Sequence, residues 1–177
     1  RLNRDPSSQF IRYFNHQDKS FSHSGIVLYE HGYPFVYHII NGDENPDQKL
    51  RRDSLKQFCN PRRNVSFGIY RYNLSTKETC KLKNIIHEWY AKGLRFDSVF
   101  SLQSDDQMYC SEMVCKAVTG ASDKRIEIRP IRLSMVEASF LSAYTRLPIS
   151  YTNNLSIIPL DALYINPYCQ LIKKYTY

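Results

Sequence analysis

The amino-acid sequence predicts an α+β domain, a small antiparallel sheet or half-barrel packed against helices. Three observations carry the prediction. Two β-rich runs, Ser22 to Tyr29 and Pro34 to Ile40, are separated only by the turn residues Glu30, His31, Gly32 and Tyr33, the pattern of an antiparallel hairpin. A third β-rich run covers Val65 to Tyr72. Apolar residues then switch to helical spacing after Ser75 and again from Cys110.

With 177 residues, 42% hydrophobic and 14% aromatic, the chain has the content of a folded globule, most simply one domain over residues 1–177. Twenty-four basic residues against 17 acidic ones give a net charge of +7. The excess is spread along the chain in small clusters such as Lys49-Leu50-Arg51-Arg52, Arg62-Arg63 and Lys173-Lys174. That distribution reads as a solvated face, and no nucleic-acid partner is expected. The five cysteines, Cys59, Cys80, Cys110, Cys115 and Cys169, are odd in number, without a C-x-x-C pair or a zinc-site spacing with histidine. This argues against a disulfide framework and for at least one free thiol, with no metal or cofactor expected. No apolar run approaches the roughly 20 residues that span a bilayer. The sequence opens on Arg1 without a methionine or signal peptide, which leaves a removed leader or tag open, and nothing in it sets an oligomeric state.

Taken in order, Asp5-Pro6-Ser7-Ser8 is a helix start signal ahead of Phe10, Ile11, Tyr13 and Phe14. In the hairpin, a four-residue loop from Glu30 to Tyr33 pairs Tyr29 with Pro34. His38 then falls opposite Gly25, on the face that also carries His23. A one-residue slip would put the two histidines on opposite faces. The turn cluster Asn41-Gly42-Asp43-Glu44-Asn45-Pro46 precedes a polar segment, with a short helix expected over Arg52 to Phe58 before Asn60-Pro61. After the third strand, Ser75-Thr76-Lys77-Glu78 has the form of a capping box. Leu82, Ile85, Ile86, Trp89 and Tyr90 make one apolar stripe up to the stop at Gly93. Met113, Val114, Ala117 and Val118 follow Cys110 at helical offsets, with a stop at Gly120. Further on, Ile126 to Pro130 alternates like a strand, Ser134 to Tyr144 reads as a helix, and Leu155 to Pro159 leads into a helical turn at Leu160 to Leu163.

The chemistry is expected where the polar loop Ser104 to Gln107 turns into the Cys110 helix. A cysteine in a first helical turn meets unpaired N–H groups and the positive end of the dipole, which favour a thiolate, so a lowered Cys110 pKa is expected. A nucleophilic thiol also needs a base and a group that orients the base. His23 and His38 on neighbouring strands supply those two types. Ser111 adds N–H groups suited to an oxyanion, and Tyr109 either flanks a cleft, helps hold the oxyanion, or is a buried packing tyrosine. Against this stands a plainer reading in which Cys110 is a small buried hydrophobe and the histidines are structural. Glu112, in the first turn, complements the dipole. Gly25 lets a helix approach the strand, and Ser24 needs no catalytic role.

Three blocks resemble the permuted papain-like hydrolases of the YiiX/YebB type, within the wider NlpC-type superfamily, in which the histidine strand precedes the cysteine helix. Ser22-His23-Ser24-Gly25-Ile26-Val27 resembles the family's histidine strand, and Pro34-Phe35-Val36-Tyr37-His38 resembles its next strand. Phe96-Asp97 with Asp105-Asp106-Gln107-Met108-Tyr109-Cys110-Ser111-Glu112-Met113-Val114 resembles its cysteine block. The likeness covers Phe21 to Val118 and fades through the C-terminal third, where Ile157-Ile158-Pro159 alone is similar to a family segment. It implies a circularly permuted papain-like fold, with Cys110 as nucleophile and His23 as general base of a cysteine peptidase or amidase. Peptides, amides or acyl lipids are the implied substrates and the bacterial cell envelope the implied setting. His38 stands where YiiX-like members carry a glutamate. A His-His-Cys set resembles the lecithin:retinol acyltransferase-like group, so acyl transfer or lipid ester hydrolysis is the alternative, and a catalytically silent binding module a third reading. The short Gly-Asp strand that the family places ahead of Arg1 is missing, which fits a processed or trimmed chain.

Overall fold

Backbone pairing around the two histidines sets the architecture. In the computed structural model, which describes residues 1–42 and 45–177, β2 (Ile26–Glu30) and β3 (Tyr33–His38) form the expected antiparallel hairpin with Tyr29 opposite Pro34. The connection is tighter than expected. His31 and Gly32 alone make the turn, both at positive φ (51° and 84°), the combination a two-residue hairpin loop of right-handed twist requires. Continuing the register places Gly25 opposite His38. A Cβ at position 25 would lie 2.9 Å from His38 Cβ and 2.8 Å from Val36, so glycine is needed for the approach of β3 and not, as expected, of a helix.

The expected helix over Arg52 to Phe58 is shorter. Arg51–Ser54 is a strand, β4, pairing with β3 so that His38 faces Arg51 and Val36 faces Asp53. Only Leu55–Phe58 is helical (α2), started by a Ser54–Gln57 capping box. A polar strand with no apolar alternation resembles a loop in sequence. Of the turn cluster before it, Asp43 and Glu44 lie outside the described residues.

A second three-stranded sheet has the order β1 (Leu2–Asn3), β5 (Asn64–Tyr72), β10 (Cys169–Thr176), all antiparallel. The strand β10 was not expected, because almost every residue in it is exposed and no pattern marks it; its order comes from backbone pairing with β5. The remaining pairs are β6 (Arg95–Phe96) with β7 (Gln107–Met108), parallel, and β8 (Ile131–Arg132) with β9 (Ser156–Ile157), antiparallel. The strand expected over Ile126 to Pro130 does not form. Ile126 and Ile128 alternate because both side chains reach the core, while pairing begins only at Ile131.

The helices pack over these sheets: α1 (Ser7–Tyr13), α3 (Thr76–Lys92), α4 (Cys110–Ala121), α5 (Met135–Thr145), α6 (Ile149–Thr152) and α7 (Asp161–Tyr164). Ser75 and Glu78 form the expected capping box, and α3 ends at Gly93 in the left-handed conformation. The α4 helix is the central one. Met113, Ala117, Val118 and Ala121 are almost fully buried, and the first three join Phe10, Ile26, Leu28, Ile39 and Ile158 in one apolar cluster. The result is an α+β fold of small, mostly antiparallel sheets against helices, with no closed barrel among the described residues.

Candidate functional site

The N-terminus of α4 faces the β2–β3–β4 meander across a cleft of about 250 Å³. Cys110 and His23 both line it, together with Ile11, Ile39, Phe96 and Phe100. His38 lies one layer deeper and is buried. All five cysteines are free thiols, as expected of at least one.

The meander puts His23, Gly25, Val36, His38, Arg51 and Asp53 on one face, since the alternation of β-strands sends every second side chain the same way. Side-chain contacts follow. His23 Nε2 lies 2.9 Å from His38 Nδ1, and His38 Nε2 lies 3.1 Å from Asp53 Oδ2. Arg51 Nη2 donates to the other oxygen of Asp53 at 3.1 Å. This line of three fixes the protons. The hydrogen bond from His38, ahead of the one from Arg51, holds the Asp53 carboxyl down at about 2, so it is ionised and must accept from His38 Nε2–H. The neutral His38 ring then accepts at Nδ1 from His23 Nε2–H, which leaves the lone pair of His23 on Nδ1. The Phe58 ring packs on both imidazoles, with centroids 5.7 Å from His23 and 4.9 Å from His38. Burial pushes the pKa of each histidine down, His23 well below the ordinary value with the Arg1 guanidinium adding to the effect, so both rings are neutral at pH 7.

Burial also pushes the Cys110 thiol up, against the expectation of a lowered pKa at a helix start. The Ser24 N–H and hydroxyl, with the Ser111 N–H, draw it part of the way back. Desolvation of the anion outweighs the helix dipole here, and the resting pair is a neutral thiol with a neutral imidazole. The Ser24 hydroxyl is buried and acts on the thiol through space, without a hydrogen bond of good geometry to it or to any other group.

The two other expected site residues use their side chains elsewhere. Tyr109 is buried and its hydroxyl accepts from Ile158 N–H at 2.7 Å; the Ser111 hydroxyl donates to Ile158 C=O at 2.7 Å. Both side chains therefore clamp the backbone of Ile158, and it is the Ser111 N–H that acts on the Cys110 thiol. Asp53 and Ser24 were missed. Asp53 sits in Arg51-Arg52-Asp53-Ser54, which reads as solvated; extending the meander by one antiparallel strand would have set it diagonal to His38. Ser24 carried no signal beyond its place next to His23.

Glu112 is buried one turn along α4. Its Oε2 accepts from Tyr109 N–H at 3.3 Å, and Lys116 Nζ lies 3.0 Å from Oε1 at an angle that makes no hydrogen bond. Burial raises its pKa to about 7.

The fold is that of the yiiX type. The crystal structure of the metalloprotein yiiX from Escherichia coli O157:H7 matches with a TM-score of 0.78 over 100% of this chain and 94% of that one, at 21% identity. In sequence the chain is similar to the uncharacterized protein YiiX of Escherichia coli strain K12, 25% identical over 168 residues, which make up 94% of this chain and 75% of the relative. No family model matches the chain.

Proposed function

We propose that this protein is a thiol-dependent hydrolase of the permuted papain-like kind, cleaving an amide or ester through an acyl-enzyme on Cys110. The observation that carries the reading is the line His23–His38–Asp53, which leaves a basic nitrogen free on the imidazole that shares a cleft with the cysteine. In the first half-reaction His23 Nδ1 takes the thiol proton as Cys110 Sγ bonds to the substrate carbonyl carbon. The electron pair of the C=O bond moves to oxygen, to which the Ser24 and Ser111 N–H groups and the unpartnered Ser24 hydroxyl, all of which act on the thiol, would donate. The oxyanion collapses, the C–N or C–O bond breaks, and the imidazolium proton goes to the leaving group. Water then attacks the thioester, giving its proton to His23 Nδ1, and the acid leaves as the thiol is restored. His38 stabilises the imidazolium less than a direct carboxylate would. The ionised Asp53 polarises it from behind and offsets that weakness.

The apolar part of the cleft wall, Ile11, Ile39 and Phe100, favours an acyl chain over a polar peptide on that side. With an alcohol or amine acceptor in place of water, the same residues would transfer the acyl group.

The solved relative is called a metalloprotein. In this chain both ring nitrogens of His38 are taken, by His23 and Asp53, and the described residues hold no group of three His, Cys, Asp or Glu side chains that could bind a metal ion. The donors do not fit, and no step here runs through a metal.

The test is to incubate the protein with activated esters of short and long acyl chains and with peptide amides, and to read acylation by intact mass and peptide mapping. An acyl adduct on Cys110, absent in Cys110→Ala and slowed in His23→Ala, is the expected result. If Cys110 takes up iodoacetamide but never an acyl group, and ligands still bind to Cys110→Ala, the protein is a silent binding module.

A further inference from the structure

One face of the molecule lacks the charge that a solvated helix normally carries. Around α5 the residues turned to solvent are Met135, Val136, Ser139, Phe140, Ala143 and Tyr144, all exposed and all uncharged. Met135 and Val136 are 76% and 68% exposed. A helix on a protein surface is usually polar on its outer side. Here the side that packs inward, with Ala138 and Leu141, is scarcely more apolar than the side that does not. The patch continues onto α1, where Tyr13 lies 4.6 Å from the Phe140 ring and Tyr144 stacks on Phe10 at 3.6 Å. It also runs to the cleft, since Tyr144 and Thr145 line the pocket that holds Cys110 and His23.

The fringe of this patch is basic. Arg132 and Arg146, both exposed, stand just before and just after α5, and Lys19 lies over the Tyr13 ring at 5.5 Å with Arg12 bonded to its carbonyl. None of these four cations makes an ion pair among the described residues. The acidic groups nearby are engaged: Glu137 with His16 and the Ser134 cap, Asp18 with Ser20 N–H. An apolar strip with unpaired cations at its edges is complementary to a surface that is apolar below and anionic above, which is the interface of a bilayer containing acidic lipids.

We propose that the outer face of α5, with Tyr13, seats this protein on an anionic lipid bilayer, with the mouth of the Cys110 cleft at the level of the headgroups. The attachment is peripheral; no helix among the described residues is long and apolar enough to cross a membrane. It does not depend on the hydrolytic reading, and a silent binding module would dock in the same way.

The experiment is co-sedimentation of the intact protein with vesicles of phosphatidylcholine alone and of phosphatidylcholine mixed with phosphatidylglycerol. Binding to the anionic vesicles that weakens with added salt is expected, with little on the neutral ones. Met135→Asp with Val136→Asp should reduce it at least tenfold, and each of Arg132→Gln and Arg146→Gln about fivefold. These side chains are exposed, and an unchanged melting temperature confirms that the variants fold. A Leu171→Asp control, an exposed apolar residue on β10, should leave binding as it was. The proposal is overturned if vesicles fail to bind, if Met135→Asp with Val136→Asp binds as before, or if that variant instead abolishes a dimer seen by sedimentation, which would make the face a contact between two copies.

Discussion

Two ionisable networks, each partly buried, serve the start of α4, one across the cleft from Cys110 and one a turn along the helix, and they are built on opposite terms. In the His23–His38–Asp53 line the contacts run head to tail, the carboxylate is ionised, and both imidazoles are neutral. In the Glu112–Lys116 pair one carboxylate oxygen has no hydrogen bond and the acid is held near half-protonation at neutral pH. The first arrangement directs a lone pair at a cleft; the second braces the start of α4 and faces no substrate. A perturbed pKa alone would have pointed to Glu112 as readily as to His23. What separates them is where the free valence ends up.

The largest expected effects test the first network. Cys110→Ala and His23→Ala should each lower kcat for an activated ester by about four orders of magnitude, and the double variant should be no worse than either, because the two act as a unit. Independent, additive losses would break the pairing. Next comes Asp53→Asn, which removes the charge that fixes the His38 tautomer. Hydrolysis should fall about tenfold to a hundredfold with KM little changed, whereas Glu112→Gln should stay within about twofold. Equal losses in Asp53→Asn and Glu112→Gln would mean that the two networks do not differ in this way.

Stability against pH sharpens the same contrast. His23 and His38 have folded pKa values below the unfolded value of about 6.5, so below that pH the unfolded chain binds more protons and stability falls as pH falls. Glu112 has the opposite sign. Its folded pKa of about 7 lies above the unfolded 4.5, so between those values the folded state holds the extra proton and stability falls as pH rises. Near pH 5.5 the two histidines favour unfolding while Glu112 returns about one proton, about 1.4 kcal/mol per pH unit in the opposite sense. Glu112→Gln should steepen the fall of stability toward low pH by about 1.4 kcal/mol per pH unit in urea titrations across pH 5 to 6. A slope that does not steepen means that Glu112 is ionised in the folded protein. The smallest effect is expected for Tyr109→Phe, which strips the acceptor from Ile158 N–H. It should cost about 1 to 2 kcal/mol of stability in chemical denaturation and leave turnover unaltered within about twofold; a large loss of turnover would return Tyr109 to the oxyanion site.

The hairpin, its register and the capped helix α3 were legible because each has a local cause: turn residues, period-two alternation, and Ser75 with Glu78. Strands β4 and β10 were not, since one is short and polar and the other is exposed throughout, and both owe their order to a partner distant in sequence. The site divides in the same way. Cys110, His23 and His38 were readable from residue type and helix or strand position. Asp53 depended on the unread β4, and the side chains of Tyr109 and Ser111 depended on Ile158, which no local pattern connects to them. The Cys110 pKa went the other way from expectation because burial is a property of the packed whole, while the dipole is visible in one helix.

The clamp on Ile158 also bears on when the protein becomes competent. Both polar groups of that one peptide position are held by the residues flanking Cys110, so the nucleophile is held in place by chain synthesised long after it. A nascent polypeptide that has already emerged as far as the cysteine helix carries every reacting group, yet lacks the segment that holds Tyr109 and Ser111 in position. Chemistry is thereby deferred until Ile158 has been made, and a stop between Ala121 and Ile158 would yield a chain with the reacting residues intact and the site unassembled.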